Sequence, residues 1–236
     1  MGAPEAQGVD RGPAFCCHAD MMRPWFLAFP FLLLAAPAWA GGFGLSGEVA
    51  LLSRYVDEDL TRYTKGPALQ PELIVTHEAS GCYGSLWLSA GLAASSGDEA
   101  DVTVGCERAL GGGVTIDFSA ARYLFRDGSM TAFSAGAAAG DWALRADYYI
   151  PEAGEDRGLR LVGEYSRQLN SLSLGAMLAH DTGPYDGVPP ITTAGLTTGY
   201  SLSGNLAASA SLLVPVAKRE GDPRRLQAWA TMRFEF

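Results

Sequence analysis

Leu226-Gln-Ala-Trp-Ala-Thr-Met-Arg-Phe-Glu-Phe236 carries the clearest period-two pattern in the chain. Leu226, Ala228, Ala230, Met232, Phe234 and Phe236 share one parity, while Gln227, Thr231, Arg233 and Glu235 fall on the other. Successive side chains of a strand point to opposite faces, so this pattern sets one face in an apolar medium and the other in a polar one. An amphipathic last strand that closes on an aromatic residue reads as the signal taken by the outer-membrane barrel assembly machinery, with Phe234 and Phe236 as the residues that carry it.

The same alternation runs back through the chain. Val114, Ile116 and Phe118 alternate with Thr115, Asp117 and Ser119, and Trp142, Leu144 and Tyr148 with Arg145, Asp147 and Tyr149. Leu159, Leu161 and Tyr165 alternate with Arg160, Glu164 and Ser166, and Leu206, Ala208, Ala210 and Leu212 with Asn205, Ser209 and Ser211. Twelve segments follow, at about 44–54, 68–78, 82–92, 100–109, 112–124, 129–139, 141–150, 158–167, 170–180, 190–201, 204–215 and 225–236. Their connections alternate too. The odd links are mostly long and polar, and the even ones are tight, such as Gly111-Gly112, Gly140-Asp141 and Ser203-Gly204. Long and short in turn is the grammar of an up-and-down transmembrane barrel, all-β and antiparallel, with loops outside and turns in the periplasm. The expected count is about twelve strands, with ten as the alternative because Met130–Gly140 is rich in Ala and Gly.

The one continuous apolar run is Pro24–Ala40. Arg23 precedes it and Ala38-Trp39-Ala40 closes it with small residues, the order of a cleaved signal peptide. Residues 1–21 are read as an over-extended start, 22–40 as the signal peptide and 41–236 as the outer-membrane barrel. Removing residues 1–40 from the 236 leaves 196, about 16 for each strand and its connection, which suits strands of ~9–11 residues across a bilayer. The net charge of −9 gives no basic face for nucleic acid.

Cys82 and Cys106 lie symmetrically about Ala94 and share the parity of their apolar neighbours. They are expected to meet across the hairpin of the third and fourth strands in a disulfide; a register slip of two would leave them free.

Ser53-Arg54-Tyr55, then Gly66-Pro67-Ala68-Leu69-Gln70, then His77-Glu78-Ala79-Ser80-Gly81-Cys82-Tyr83-Gly84-Ser85-Leu86-Trp87 resembles the TorF-like family of outer-membrane porins. The likeness is specific over about 49–125. It departs from the family pattern after the first tyrosine, where Val56-Asp57-Glu58-Asp59 replaces the usual Arg-Gly. The resemblance implies an outer-membrane location and a porin role.

If the apolar parity faces lipid, the lumen receives Glu48, Glu72, Asp101, Glu107, Asp117, Asp147, Glu164 and Glu235, against Arg54, Arg145, Arg160 and Arg233. Eight acids against four arginines lead to the expectation of a channel for passive diffusion of small solutes, cations preferred. The alternatives are a filled, non-conducting barrel with a structural or surface-binding role and, third, a lipid hydrolase. The last needs a Ser–His pair at one rim, and the chain from Gly41 offers only His77 and His180, without Gly-x-Ser-x-Gly. No enzyme activity, cofactor or metal is expected. Asp57-Glu58-Asp59 and Glu152–Asp156 lack the spacing of a calcium loop and read as solvated charge. Loops this short argue against a dedicated plug. Tyr55, Tyr123, Phe125, Tyr148, Tyr165 and Phe236, near strand ends, are assigned to interfacial girdles. The partners implied are outer-membrane lipid, the assembly machinery and small solutes.

Overall fold

The computed structural model describes residues 42–236 apart from 62, 94–97, 127, 153–156 and 184–188, so the segments assigned above to 1–21 and 22–40 lie outside the described residues. Twelve strands follow one another: β1 (Phe43–Leu52), β2 (Ala68–His77), β3 (Cys82–Gly91), β4 (Glu99–Gly111), β5 (Val114–Phe125), β6 (Gly128–Ala139), β7 (Trp142–Pro151), β8 (Gly158–Leu169), β9 (Leu172–Asp181), β10 (Ile191–Ser201), β11 (Leu206–Lys218) and β12 (Gln227–Glu235). Each pairs antiparallel with its sequence neighbours, and β1 pairs with β12, which closes the barrel.

Tight turns collect at one end and longer connections at the other, here called the turn end and the loop end. At Asn170 (φ 55°) and Gly140 (φ 59°) the tight turns need the left-handed backbone, which asparagine and glycine adopt at least cost.

Parity sorts the side chains as the alternation requires. Outward stand Val104, Phe118, Leu144, Leu178 and Leu196, all at least 56 % exposed. So broad an apolar surface is a liability in water and a requirement in lipid. Inward stand the polar residues, with only small apolar clusters. One joins Val56 and Leu60 to Ile191 and Leu213; another joins Met130, Ala132 and Tyr149. Strands of this length that close on themselves leave no unpaired edge, since each ladder satisfies the backbone groups of the next.

Cys82 stands opposite Cys106 in the β3–β4 register, and their sulfurs are bonded. The bridge lies on the outward face near the turn end, with the parity of Leu86 and Val104. Peptide mapping of the folded, unreduced chain should recover the two cysteine peptides as one linked species. Free thiols at both positions would contradict the pairing. Replacing both by serine should lower the unfolding free energy read from a urea titration by no more than roughly 3 kcal/mol, and by less where the neighbouring ladders already fix the hairpin.

Candidate functional site

The described residues of the segment 53–67, which joins β1 to β2, carry Tyr55, Asp57 and Glu58 into the barrel. Its own backbone makes it a small hairpin: Tyr63 N–H donates to the Tyr55 carbonyl (3.1 Å), Asp57 N–H to Thr61 (2.9 Å), and Leu60 N–H to Asp57 (2.9 Å). The side chain of Asp59 accepts the Thr61 amide (2.7 Å) and hydroxyl (2.8 Å), which fixes the tip. Leu60 sits at φ 66°, a conformation costly for a leucine, and is buried against Ile191 and Leu213. Packing holds it there.

Charge does the rest. Arg160, on the inward face of β8, donates from Nε to Asp181 (2.7 Å), from Nη1 to Glu58 (2.6 Å) and from Nη2 to Asp57 (2.9 Å). Its guanidinium also lies over the ring of Tyr149, 5.3 Å from the centroid. Arg145 on β7 bridges Asp147 (2.9 Å) and Glu58 (3.0 Å), and Arg224 pairs with Asp222 and Asp59. The Thr193 hydroxyl donates to the Glu58 carbonyl (2.7 Å). Burial would lift the carboxyl of Asp57, but Arg160 beside it holds it below the usual carboxylate range. Glu58 moves the other way: burial, joined by the charge of Asp57, pushes it up to about 7 against the pull of Arg160 and Arg145.

Two expectations are corrected here. Asp57, Glu58 and Asp59 are not solvated loop charges but the ion-paired tip of a segment that enters the bore, so a short loop does serve as a constriction. Tyr55, Tyr123 and Phe125 form no outer girdle. Tyr123 and Phe125 share the inward parity of Asp117 and Ser119, and nearness to a strand end does not override parity. They form an interior chain in which Tyr55 stacks on Tyr63 (4.8 Å), Tyr63 on Phe125 (6.4 Å) and Phe125 on Tyr123 (6.4 Å). Tyr148 and Phe236 face outward, and Tyr165 packs on the exposed Trp142.

Among the described residues, Tyr55, Asp57 and Glu58 stand in the walls of two cavities of the bore, so the inserted segment lies between these two. One, of about 830 Å³, runs along β3–β8; the other, of about 970 Å³, along β8–β12 and β1. Glu72, Asp101, Glu107, Asp117, Arg145, Asp147 and Arg160 line the first, Glu48 and Glu235 the second, and Glu164 and Arg233 both. Arg54 stands beyond the end of β1, bonded to Gln227. Toward the turn end the inward carboxylates carried by the described strands are Glu48, Glu72, Glu107, Asp117, Glu164 and Glu235, with Arg233, 3.3 Å from Glu48, as the arginine among them; Asp141, in the β6–β7 turn, joins them and pairs with Arg167. The facing wall is small and neutral: Ser173, Gly175, Thr197, Gly199, Ser209 and Ser211. Reading by parity found most of this set. It missed Glu99 and Asp181, at strand ends, and Trp87 and Tyr149, whose inward parity was legible beside Ser85 and Asp147.

His77 Nδ1 lies 2.7 Å from the Ser80 hydroxyl. That hydroxyl also accepts the Cys82 amide and contacts the His77 carbonyl, as a turn residue does. His180 meets Thr192 on the outward face (3.0 Å).

A family model described as a bacterial protein of unknown function (Gcw_chp) matches residues 36–144. No curated protein matches the sequence. Among solved structures the chain is similar to the KdgM porin in complex with disordered oligogalacturonate, at TM-score 0.55 and 13% identity, covering 81% of this chain and 98% of that one. It is also similar to an outer membrane channel from Pseudomonas putida F1, at TM-score 0.54 and 13% identity, covering 85% and 98%. At such identity the likeness is one of fold.

The clamp at Arg160 gives a direct prediction. Breaking a buried ion pair costs ~3–5 kcal/mol, so Arg160→Gln should speed hydrogen exchange of the amides at 57–61 by at least about tenfold while the strand amides stay protected. Because the Glu58 carboxyl titrates higher in the folded chain than in the unfolded one, the folded form holds the extra proton. Protection of the segment should therefore decline as pH rises through about 7, and Glu58→Gln should flatten that decline. Unchanged exchange in both variants would show that packing of Leu60 alone seats the segment.

Proposed function

We propose that this chain is a porin-like channel of the bacterial outer membrane that passes small solutes by diffusion and prefers cations. One observation carries the reading: an apolar outer belt encloses a polar bore in whose turn-end half the described strands set six carboxylates against a single arginine. Like charges around a low-dielectric passage raise the local concentration of counter-ions and exclude co-ions. The barrels it resembles in fold are described as a porin and an outer membrane channel, which supports the same reading. Membership of the TorF-like porins, export through residues 22–40, and capture of β12 by the assembly machinery belong to this proposal.

The seated 53–67 segment favours a second reading, a non-conducting barrel that presents its loops. The hydrolase reading gains nothing, because the Ser80 hydroxyl is engaged within its own turn.

Single-channel recording of the folded chain in a planar bilayer separates the first two. Discrete steps with a reversal potential of cation-selective sign in a salt gradient are expected. Neutralising Glu72, Glu107 and Asp117 together to their amides should bring the cation-to-anion permeability ratio toward one, with conductance steps retained. Silence from a correctly folded barrel would shift the assignment to the loop-presenting role.

A further inference from the structure

Residues 55–61 lie between the two cavities, yet the barrel holds them unevenly. Their base is fastened closely. The Tyr55 amide donates to the Thr64 hydroxyl (2.8 Å), which donates in turn to the Gly66 carbonyl (2.8 Å). The Tyr55 ring meets Trp87 of β3 edge-on at 5.6 Å, and its hydroxyl donates to Glu99 of β4 (3.1 Å). On either side the main chain is tied to the wall, by the Ser53 amide to Ala230 (2.8 Å) and the Leu92 amide to Pro67 (2.8 Å).

The tip is held differently. Among the described residues, no main-chain hydrogen bond joins 56–61 to a strand. Side chains seat it: Val56 and Leu60 against Ile191 and Leu213, the Thr193 hydroxyl on the Glu58 carbonyl, and the ion pairs of Arg145, Arg160 and Arg224. Such a tip withdraws without opening the ladder that closes the wall. On withdrawal Arg145 keeps Asp147 and Arg160 keeps Asp181, so neither guanidinium is stranded. Leu60, at φ 66°, is relieved of its backbone strain.

The charges at the seat do not balance. Asp57, Glu58, Asp147 and Asp181 converge on Arg145 and Arg160, four carboxylates on two guanidiniums. Nothing that faces the tip makes up the difference. Asp59 meets an Arg224 already engaged by Asp222, Tyr149 lies under Arg160, and Glu99, Asp101 and Tyr123 look toward Asp57 from β4 and β5. One proton relieves the excess, and Glu58 is placed to hold it: burial and Asp57 push its carboxyl up to about 7, while Arg160 keeps Asp57 ionised. Withdrawn into water, Glu58 titrates near its ordinary 4.5. The seated form therefore holds the extra proton, and seating weakens as pH climbs from about 4.5 to about 7, then levels.

We propose that residues 56–61 are a proton-controlled gate. Seated, the tip divides the bore; withdrawn about the Tyr55 base, it joins the two cavities into one wider passage. The inference rests on the channel reading.

Single-channel recording of the folded chain at about pH 5 and about pH 8 tests it: two conductance levels are expected, with occupancy of the larger relative to the smaller at least about tenfold greater at the higher pH. Glu58→Gln should stay at the smaller level at both. Replacing residues 56–61 by a short Gly-Ser linker should hold the larger level at both. Folding is checked by heat-shifted gel mobility; should the shortened chain fail to fold, the wild type and Glu58→Gln carry the test. A wild type that is silent while the shortened barrel conducts also supports the gate, as a passage held shut. One level unmoved by pH, or a shortened chain that conducts as the wild type does, sinks the gate and leaves the channel. Silence from both folded barrels sinks the channel reading and the gate with it.

Discussion

A strand in contact with lipid has no water to satisfy its amides, so every backbone group in this wall must be paired by a neighbouring strand, and the wall must therefore close. Closure is made where β1 meets β12. The amides of Gly47 and Phe236 each donate to the other's carbonyl at 3.0 Å, and the Ser53 amide donates to the Ala230 carbonyl (2.8 Å) higher on the seam. Gly47 is the residue that permits it. A Cβ there would stand 2.6 Å from the Glu72 carbonyl and 2.7 Å from the Phe236 ring, which lies over the glycine. An alanine would have to displace main chain on one side and an aromatic ring on the other. The same register sets Glu48 opposite Glu235, so an inward row of acids begins at the seam and continues through Glu72 and Asp101 to Tyr123. A slip of one residue would turn Glu235 and Arg233 toward lipid.

Inside the closed wall the second organising force is the guanidinium of Arg160. A cation this well buried would be untenable alone, and it gathers three carboxylates, two of which arrive on the inserted segment. The segment in turn needs the arginines: Asp57, Glu58 and Asp59 would otherwise bring three acids into a bore already rich in them. Neither side is as stable without the other, which explains how a leucine can be kept at φ 66° at the tip.

The wall was legible in the sequence because lipid leaves only one solution. Period two in Val114–Ser119 and Trp142–Tyr149, with long and short connections in turn, specifies strands, parity and strand count together. The inserted segment was not legible. Glu58 meets Arg160 across 102 residues of chain, and no periodicity in Val56-Asp57-Glu58-Asp59 marks a loop that turns inward rather than out. The acids read as solvated because loop charges usually are. The aromatic row failed for a different reason: Tyr123 and Phe125 were judged by distance from a strand end, although their parity with Asp117 already placed them inside.

The inserted segment does more than narrow the passage. Without it, Arg145 and Arg160 would present positive charge to the bore opposite Glu72 and Asp101, and the two walls would offset each other. Asp57 and Glu58 take up both guanidiniums, with Asp147 and Asp181 behind them. What remains unpaired on the facing wall is carboxylate, and the wall of Ser173, Thr197, Ser209 and Ser211 adds no cation to answer it. In the channel proposed above, a loop made of acids would favour cations by masking bases as much as by its own charge.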